Sequence, residues 1–158
     1  MKILNFGSLN IDYVYNVSEF VRAGETISAL STLEHPGGKG LNQAVAAARA
    51  GSNVFFAGNI GEDGLFLKEL LENSGANTKY LKINKARTGN AIIQIDKDGE
   101  NCIIVSAGAN ALLDAGADVL TGGNHSLKNY DVFDLLDENE RVLRPMNLPD
   151  AAPGHGWC

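Results

Sequence analysis

The chain has no apolar run approaching the roughly 20 residues that a bilayer-spanning helix requires. Its opening, Met1-Lys2-Ile3-Leu4-Asn5-Phe6-Gly7, is too short and too soon interrupted for a secretory signal. Cysteine is scarce: only Cys102 and Cys158 occur, which argues against a disulfide framework in an unsecreted chain. The expectation is a cytoplasmic protein without a membrane partner, with Cys102 packed as a small hydrophobe inside an apolar strand. Without a secretory route, the Asn-x-Ser matches at Asn16 and Asn124 are read as chance.

A basic stripe is also missing, which excludes the electrostatic footprint of a nucleic-acid binder. The net charge of −6 is unevenly spread. Residues 1–113 hold 11 acidic and 10 basic side chains, whereas residues 114–158 hold 8 and 3. His35, His125 and His155 share no metal-ligand spacing with one another or with the cysteines, so no metal site is expected. What remains, 158 residues at 44% hydrophobic and 20% charged, suits one soluble globular domain.

The apolar pattern then divides the chain. Ile3–Phe6, Val54–Ala57 and Tyr80–Ile83 read as short strands. Leu41–Ala50, with five alanines and no breaker, reads as a helix closed by Gly51. Leu65–Glu72 reads as a second helix with an apolar stripe at Leu67, Leu70 and Leu71, for which Asp63 is a candidate cap. This alternation predicts an α/β sheet of parallel strands. Ala91–Asp96 and Cys102–Val105 stand apart, joined by the hairpin signal Asp98-Gly99. With the runs Tyr13–Val17 and Thr26–His35 they are expected to form a small separate sheet. Beyond Ala111 the pattern weakens: Leu112–Leu120 is a candidate helix and Val132–Leu136 a candidate strand. Arg141–Cys158, with three prolines and no periodicity, is expected to be an irregular tail.

The segment richest in chemistry is Gly37-Gly38-Lys39-Gly40-Leu41-Asn42-Gln43-Ala44, which runs straight into the first helix. Glycines admit a ligand close to the backbone, and a helix start presents unpaired N–H groups. Lys39 and Asn42 add side-chain donors, a set suited to a polyhydroxylated ligand. The segment is not a P-loop, because Gly40 rather than Ser or Thr follows Lys39, and no G-x-G-x-x-G follows a strand.

Together with Gly51 and Gly61, this segment resembles the N-terminal signature of the ribokinase-like, or phosphofructokinase-B-type, carbohydrate kinases, and its wording is most similar to the ribokinase branch. Gly7-Ser8-Leu9-Asn10-Ile11-Asp12, Gly24-Glu25-Thr26, Gly61-Glu62-Asp63-Gly64 and Ser106-Ala107-Gly108-Ala109-Asn110 resemble further family segments in order, so that the likeness covers residues 1 to about 113. It implies an incomplete parallel sheet flanked by helices, plus a small β-lid. It also implies that Asn10, Asp12, Gly38, Lys39 and Asn42 bind a small sugar such as ribose. A homodimer formed through the lid is a further implication.

The resemblance also sets out what is missing. Complete family enzymes use magnesium-ATP and a Gly-Ala-Gly-Asp motif whose aspartate is the base. The nearest match here, Ala115-Gly116-Ala117-Asp118, lacks the first glycine, comes too early and is read as coincidence. No catalytic residue is therefore assigned, and no nucleotide is expected on this chain alone. Residues 114–140 are read as a degenerate continuation of the core, with Glu138 or Glu140 as a remnant of a family glutamate, and residues 141–158 as an unstructured tail. The expectation is a truncated sugar kinase holding the sugar-recognition half. The alternative is a catalytically silent sugar-binding or dimerisation fragment.

Overall fold

The computed structural model describes residues 2–111 together with residues 120–121 and 142–143. The chain divides into two units, Met1–Ala115 and Gly116–Cys158. In the first, the order is β1 (Lys2–Phe6), β2 (Asn10–Asn16), β3 (Ser31–Gly37), α1 (Lys39–Arg49), β4 (Asn53–Gly61), α2 (Leu65–Asn73), β5 (Asn77–Asn84), β6 (Gly89–Ile95) and β7 (Asn101–Ser106).

The core sheet contains β1, β4 and β5 in the order β1-β4-β5, and both of its pairings are parallel. Its crossovers advance in the same direction, so right-handed connections place α1 and α2 on one face. Alternation along β4 shows the consequence. Val54 and Phe56 are buried with Leu41 and Ala44 of α1 and Leu67 and Leu71 of α2. Phe55 points the other way, its ring centroid 6.1 Å from that of Tyr80. Each fully buried Leu or Phe contributes about 1.5–3 kcal/mol through the water it sheds.

The second sheet has the order β3-β2-β6-β7 and stands outside the core sheet, as the sequence pattern predicts. β2 runs antiparallel to β3 and parallel to β6, and β6 and β7 form an antiparallel hairpin. Gly99 closes the hairpin at φ +81°, a left-handed conformation open to glycine. The Asp96 carboxylate accepts from the N–H groups of Asp98 and Glu100 at 2.9 and 3.0 Å, which braces the turn.

Several expectations need correction. β2 begins at Asn10 rather than Tyr13, so Asn10 and Asp12 lie within the strand. β3 begins at Ser31 rather than Thr26 and runs through Pro36. A proline without an N–H is tolerated there because β3 is an edge strand. Cys102 is exposed rather than packed, because β7 is the opposite edge and is exposed along its whole length. Asp63 does not cap α2, whose N-cap is Gly64 without a side-chain bond. In the second unit, Val142–Leu143 pairs in parallel with Leu120–Thr121, so the segment from Arg141 is not wholly irregular and Leu120 is not helical. The expected strand at Val132–Leu136, the glutamates Glu138 and Glu140, and Ala115–Asp118 lie outside the described residues. Among the described residues no helix is long and apolar enough to cross a membrane.

Asp63 has a different task. Its carboxylate accepts from the Thr88 N–H at 2.9 Å, the Thr88 hydroxyl at 2.7 Å and Arg87 Nε at 3.2 Å. The same Thr88 hydroxyl accepts from the Gly61 N–H at 2.9 Å. The end of β4 is thereby tied to the start of β6, and hence the core sheet to the outer sheet. Desolvation pushes the Asp63 carboxyl up, but the bonds from Thr88 and Arg87 outweigh it and hold the group below its ordinary value. Thr88 is 1% exposed, so Thr88→Val leaves the buried Gly61 N–H without its acceptor. We expect a loss of about 1–3 kcal/mol, read as a lower urea midpoint at unchanged slope.

Candidate functional site

The site begins where the chain crosses from β1 to β2. There Gly7-Ser8-Leu9 passes against the first turn of α1, and the Leu41 N–H donates to the Ser8 carbonyl at 3.1 Å. Gly38 has φ +101°, and a Cβ on it would stand 2.5 Å from the Ser8 carbonyl oxygen and 3.0 Å from the Asn10 nitrogen. A Cβ on Gly40 would stand 2.6–2.7 Å from the backbone of Gly7 and Ser8. These are backbone-to-backbone approaches that any side chain prevents. They set the start of α1 directly beside the start of β2.

A cleft of about 470 Å³ results, and all five residues singled out from the sequence line it: Asn10, Asp12, Gly38, Lys39 and Asn42. Ser8 and Asn110 add polar groups to the same wall. Ala91 and Ile93 of β6, Ile103 and Val105 of β7, and Ala107 form an apolar wall. Register explains the grouping. Asp12 is level with Ala91, which is level with Val105, and residues level across strands share a face. Asn110 and the apolar wall were missed as site residues in the sequence, because the contiguous apolar runs of β6 and β7 do not show which residues face the cleft. A second concavity of about 440 Å³ lies on the other face of this sheet, between Tyr15, Ile92 and Ile27, and gathers fewer polar groups.

Desolvation by burial raises the Asp12 carboxyl above its ordinary value of 3.8, and His35, level with it on β3, offsets only part of that rise. The folded chain therefore holds this proton more tightly than the unfolded chain. Its contribution to stability falls as pH rises through the raised value and stays unfavourable at neutral pH. Asp12→Asn is expected to raise the urea midpoint at pH 7, with the gain shrinking as the pH is lowered below that range.

A parallel core sheet with helices on one face and a four-stranded lid over a polar cleft is the ribokinase-like fold. Residues 1–134 match the pattern of the pfkB family carbohydrate kinases. The chain is 41% identical over 110 residues to the ribokinase of Haemophilus influenzae, covering 68% of this chain and 36% of that protein. The crystal structure of ribokinase from Cryptococcus neoformans in complex with ADP superposes with a TM-score of 0.69 at 38% identity, over 94% of this chain and 51% of that one. The structure of Arabidopsis thaliana ribokinase complexed with ribose and ATP gives a TM-score of 0.64 at 30% identity, over 94% and 46%. The chain belongs to the pfkB family of carbohydrate kinases. It spans about a third of the length of the curated relative it matches.

Proposed function

We propose that this chain carries the sugar-recognition part of an ATP-dependent sugar kinase of the ribokinase type, and that its cleft takes a small sugar such as ribose. The convergence of Asn10, Asp12, Gly38, Lys39 and Asn42 opposite an apolar wall is the observation that carries this reading. An ionised Asp12 accepts from two neighbouring hydroxyls, while Lys39 donates and Asn42 either donates or accepts. The apolar wall suits the C–H face of a sugar ring. The relatives' structures with ribose, ATP or ADP support the same substrate class. In a complete family enzyme magnesium-ATP would be the phosphoryl donor, and no described residue is assigned to it here. The site lies in the cytoplasm on this reading.

The Gly-Ala-Gly-Asp motif that supplies the family's base is absent from this sequence. Loss of even one charge-stabilising donor costs a hundredfold or more in rate, so the 158-residue chain is expected to phosphorylate ribose far more slowly than a complete kinase. D-ribose titrated into the chain by calorimetry should bind saturably, and Asp12→Asn should abolish the heat without unfolding the protein. A flat titration of the unmodified chain would sink this reading. Ribose-dependent ADP formation at the rate of a complete kinase, lost in Asp12→Asn, would instead assign phosphoryl transfer to this chain.

A second reading, a fragment that dimerises through its lid, is favoured by one observation. Ile103, Ile104 and Val105 on the edge strand β7 are 50%, 62% and 64% exposed. An apolar edge with free ladder groups invites a second copy. Ile104→Lys, on the face away from the cleft, should shift sedimentation toward monomer and leave ribose binding intact. Unchanged sedimentation of a dimeric chain would remove β7 from the interface.

A further inference from the structure

Asn110 lies in the single 3₁₀ turn after β7, about a hundred residues from the strand it serves. Its side-chain oxygen accepts from the Leu9 N–H at 3.1 Å. Its nitrogen donates to the Leu9 carbonyl at 3.0 Å and to Asn10 Oδ1 at 2.8 Å. Leu9 is fully buried and precedes β2, so the amide of Asn110 takes the place of a missing strand neighbour. The polarity of this arrangement is fixed from one end. A buried N–H requires an acceptor, so the atom facing Leu9 N must be the Asn110 oxygen. The Asn110 nitrogen then has two protons, and both are used. Asn10 must meet one of them with its oxygen, which leaves Asn10 Nδ2 without a partner among the described residues.

A separate observation supports the pairing. Gly89 heads β6 level with Asn10. A Cβ there would overlap Asn110 Nδ2 and stand 2.7 Å from Asn10 Oδ1. The absence of a side chain at this position is what leaves room for the two amides to meet.

We propose that Asn110 is a positioning residue that engages the Asn10 oxygen and fixes the orientation of the Asn10 amide, so that its N–H donors are what it chiefly offers the cleft. Two residues further along β2, an ionised Asp12 offers acceptors and no donor. The cleft thus has a fixed polarity along this strand, and it selects a ligand that accepts at the Asn10 end and donates at the Asp12 end. Neighbouring hydroxyls of a sugar satisfy both demands. The selectivity rests on the sugar reading given above, whereas the locking of Asn10 does not.

Side-chain amide hydrogen exchange on the ¹⁵N-labelled chain tests the lock without any ligand. In the unmodified protein the Asn110 amide protons should exchange slowly and those of Asn10 freely. Asn110→Asp still accepts from the Leu9 N–H but offers Asn10 only oxygen, so the Asn10 amide should turn over and one of its protons become protected. D-ribose binding should then weaken about tenfold, the equivalent of one net hydrogen bond. Asn10→Ala keeps both Leu9 contacts and should release one of the two Asn110 protons, which preserves the test if Asn110→Asp fails to fold. Asn10 protons already protected in the unmodified chain, or Asn110 exchange unaltered in Asn10→Ala, would overturn the proposal. Weakened ribose binding in Asn110→Asp with unchanged Asn10 exchange would overturn it too, as a merely structural effect. A chain whose amides respond as expected but which does not bind ribose supports the lock and overturns the sugar reading instead.

Discussion

Where β1 passes into β2, two stretches of backbone touch. Gly7 and Gly40 stand so close that a Cβ on Gly40 would collide with the opposing main chain. Everything that makes this molecule a candidate binding protein depends on that approach. It brings the start of α1 beside the first residues of β2, and it allows the Leu41 N–H to reach Ser8. Residues far apart in sequence, Asp12 and Asn42 among them, then border one cleft. The glycines hold no ligand through side chains of their own. They admit the geometry in which neighbouring side chains can.

The outer sheet turns that contact into a site. Its strands alternate, so one face takes Asn10, Asp12, Ala91 and Val105 and the other takes Tyr13, Ile92 and Ile104. Polar groups collect near the root of the sheet, where α1 begins, and apolar ones further out. Short hydrogen-bonded links hold this arrangement: Asp63 to Thr88 ties the core sheet to the outer sheet, and Asn110 to Leu9 ties the end of β7 to the chain entering β2. Both links satisfy backbone groups at strand ends, where a ladder stops and a polar atom would otherwise be stranded.

The charge in the cleft carries a cost. Asp12 is partly desolvated, and the electrostatic influence of His35, level with it on β3, offsets only part of that. A carboxylate held in this state detracts from fold stability at neutral pH. Asp63 is the contrast. It is also an aspartate beside a sheet end, but it is surrounded by donors and titrates below its ordinary range. The two residues show how environment, not residue type, sets whether an aspartate is held above or below its ordinary range.

The sequence by itself determined the parts that depend on local pattern. Apolar runs marked β6 and β7 as strands of a separate sheet, the apolar stripe of α2 set its buried side, and Asp98-Gly99 set the hairpin. The glycine-rich segment before α1 was legible because its residue types and spacing are specific, and with it the five cleft residues. Tertiary structure alone decided what depends on distant neighbours. Asp63 reads locally as a helix cap, yet Thr88, 25 residues on, offers it better donors. Cys102 reads as buried because its strand is apolar, yet among the described residues β7 has a neighbour on one edge only. Asn110 falls in a segment that resembles the family, but its task is not legible there, because the groups it satisfies lie about a hundred residues earlier in the chain. Periodicity records which way a side chain points. It cannot record which strand end is left with an unpaired peptide group, and that is known only when the sheets have formed.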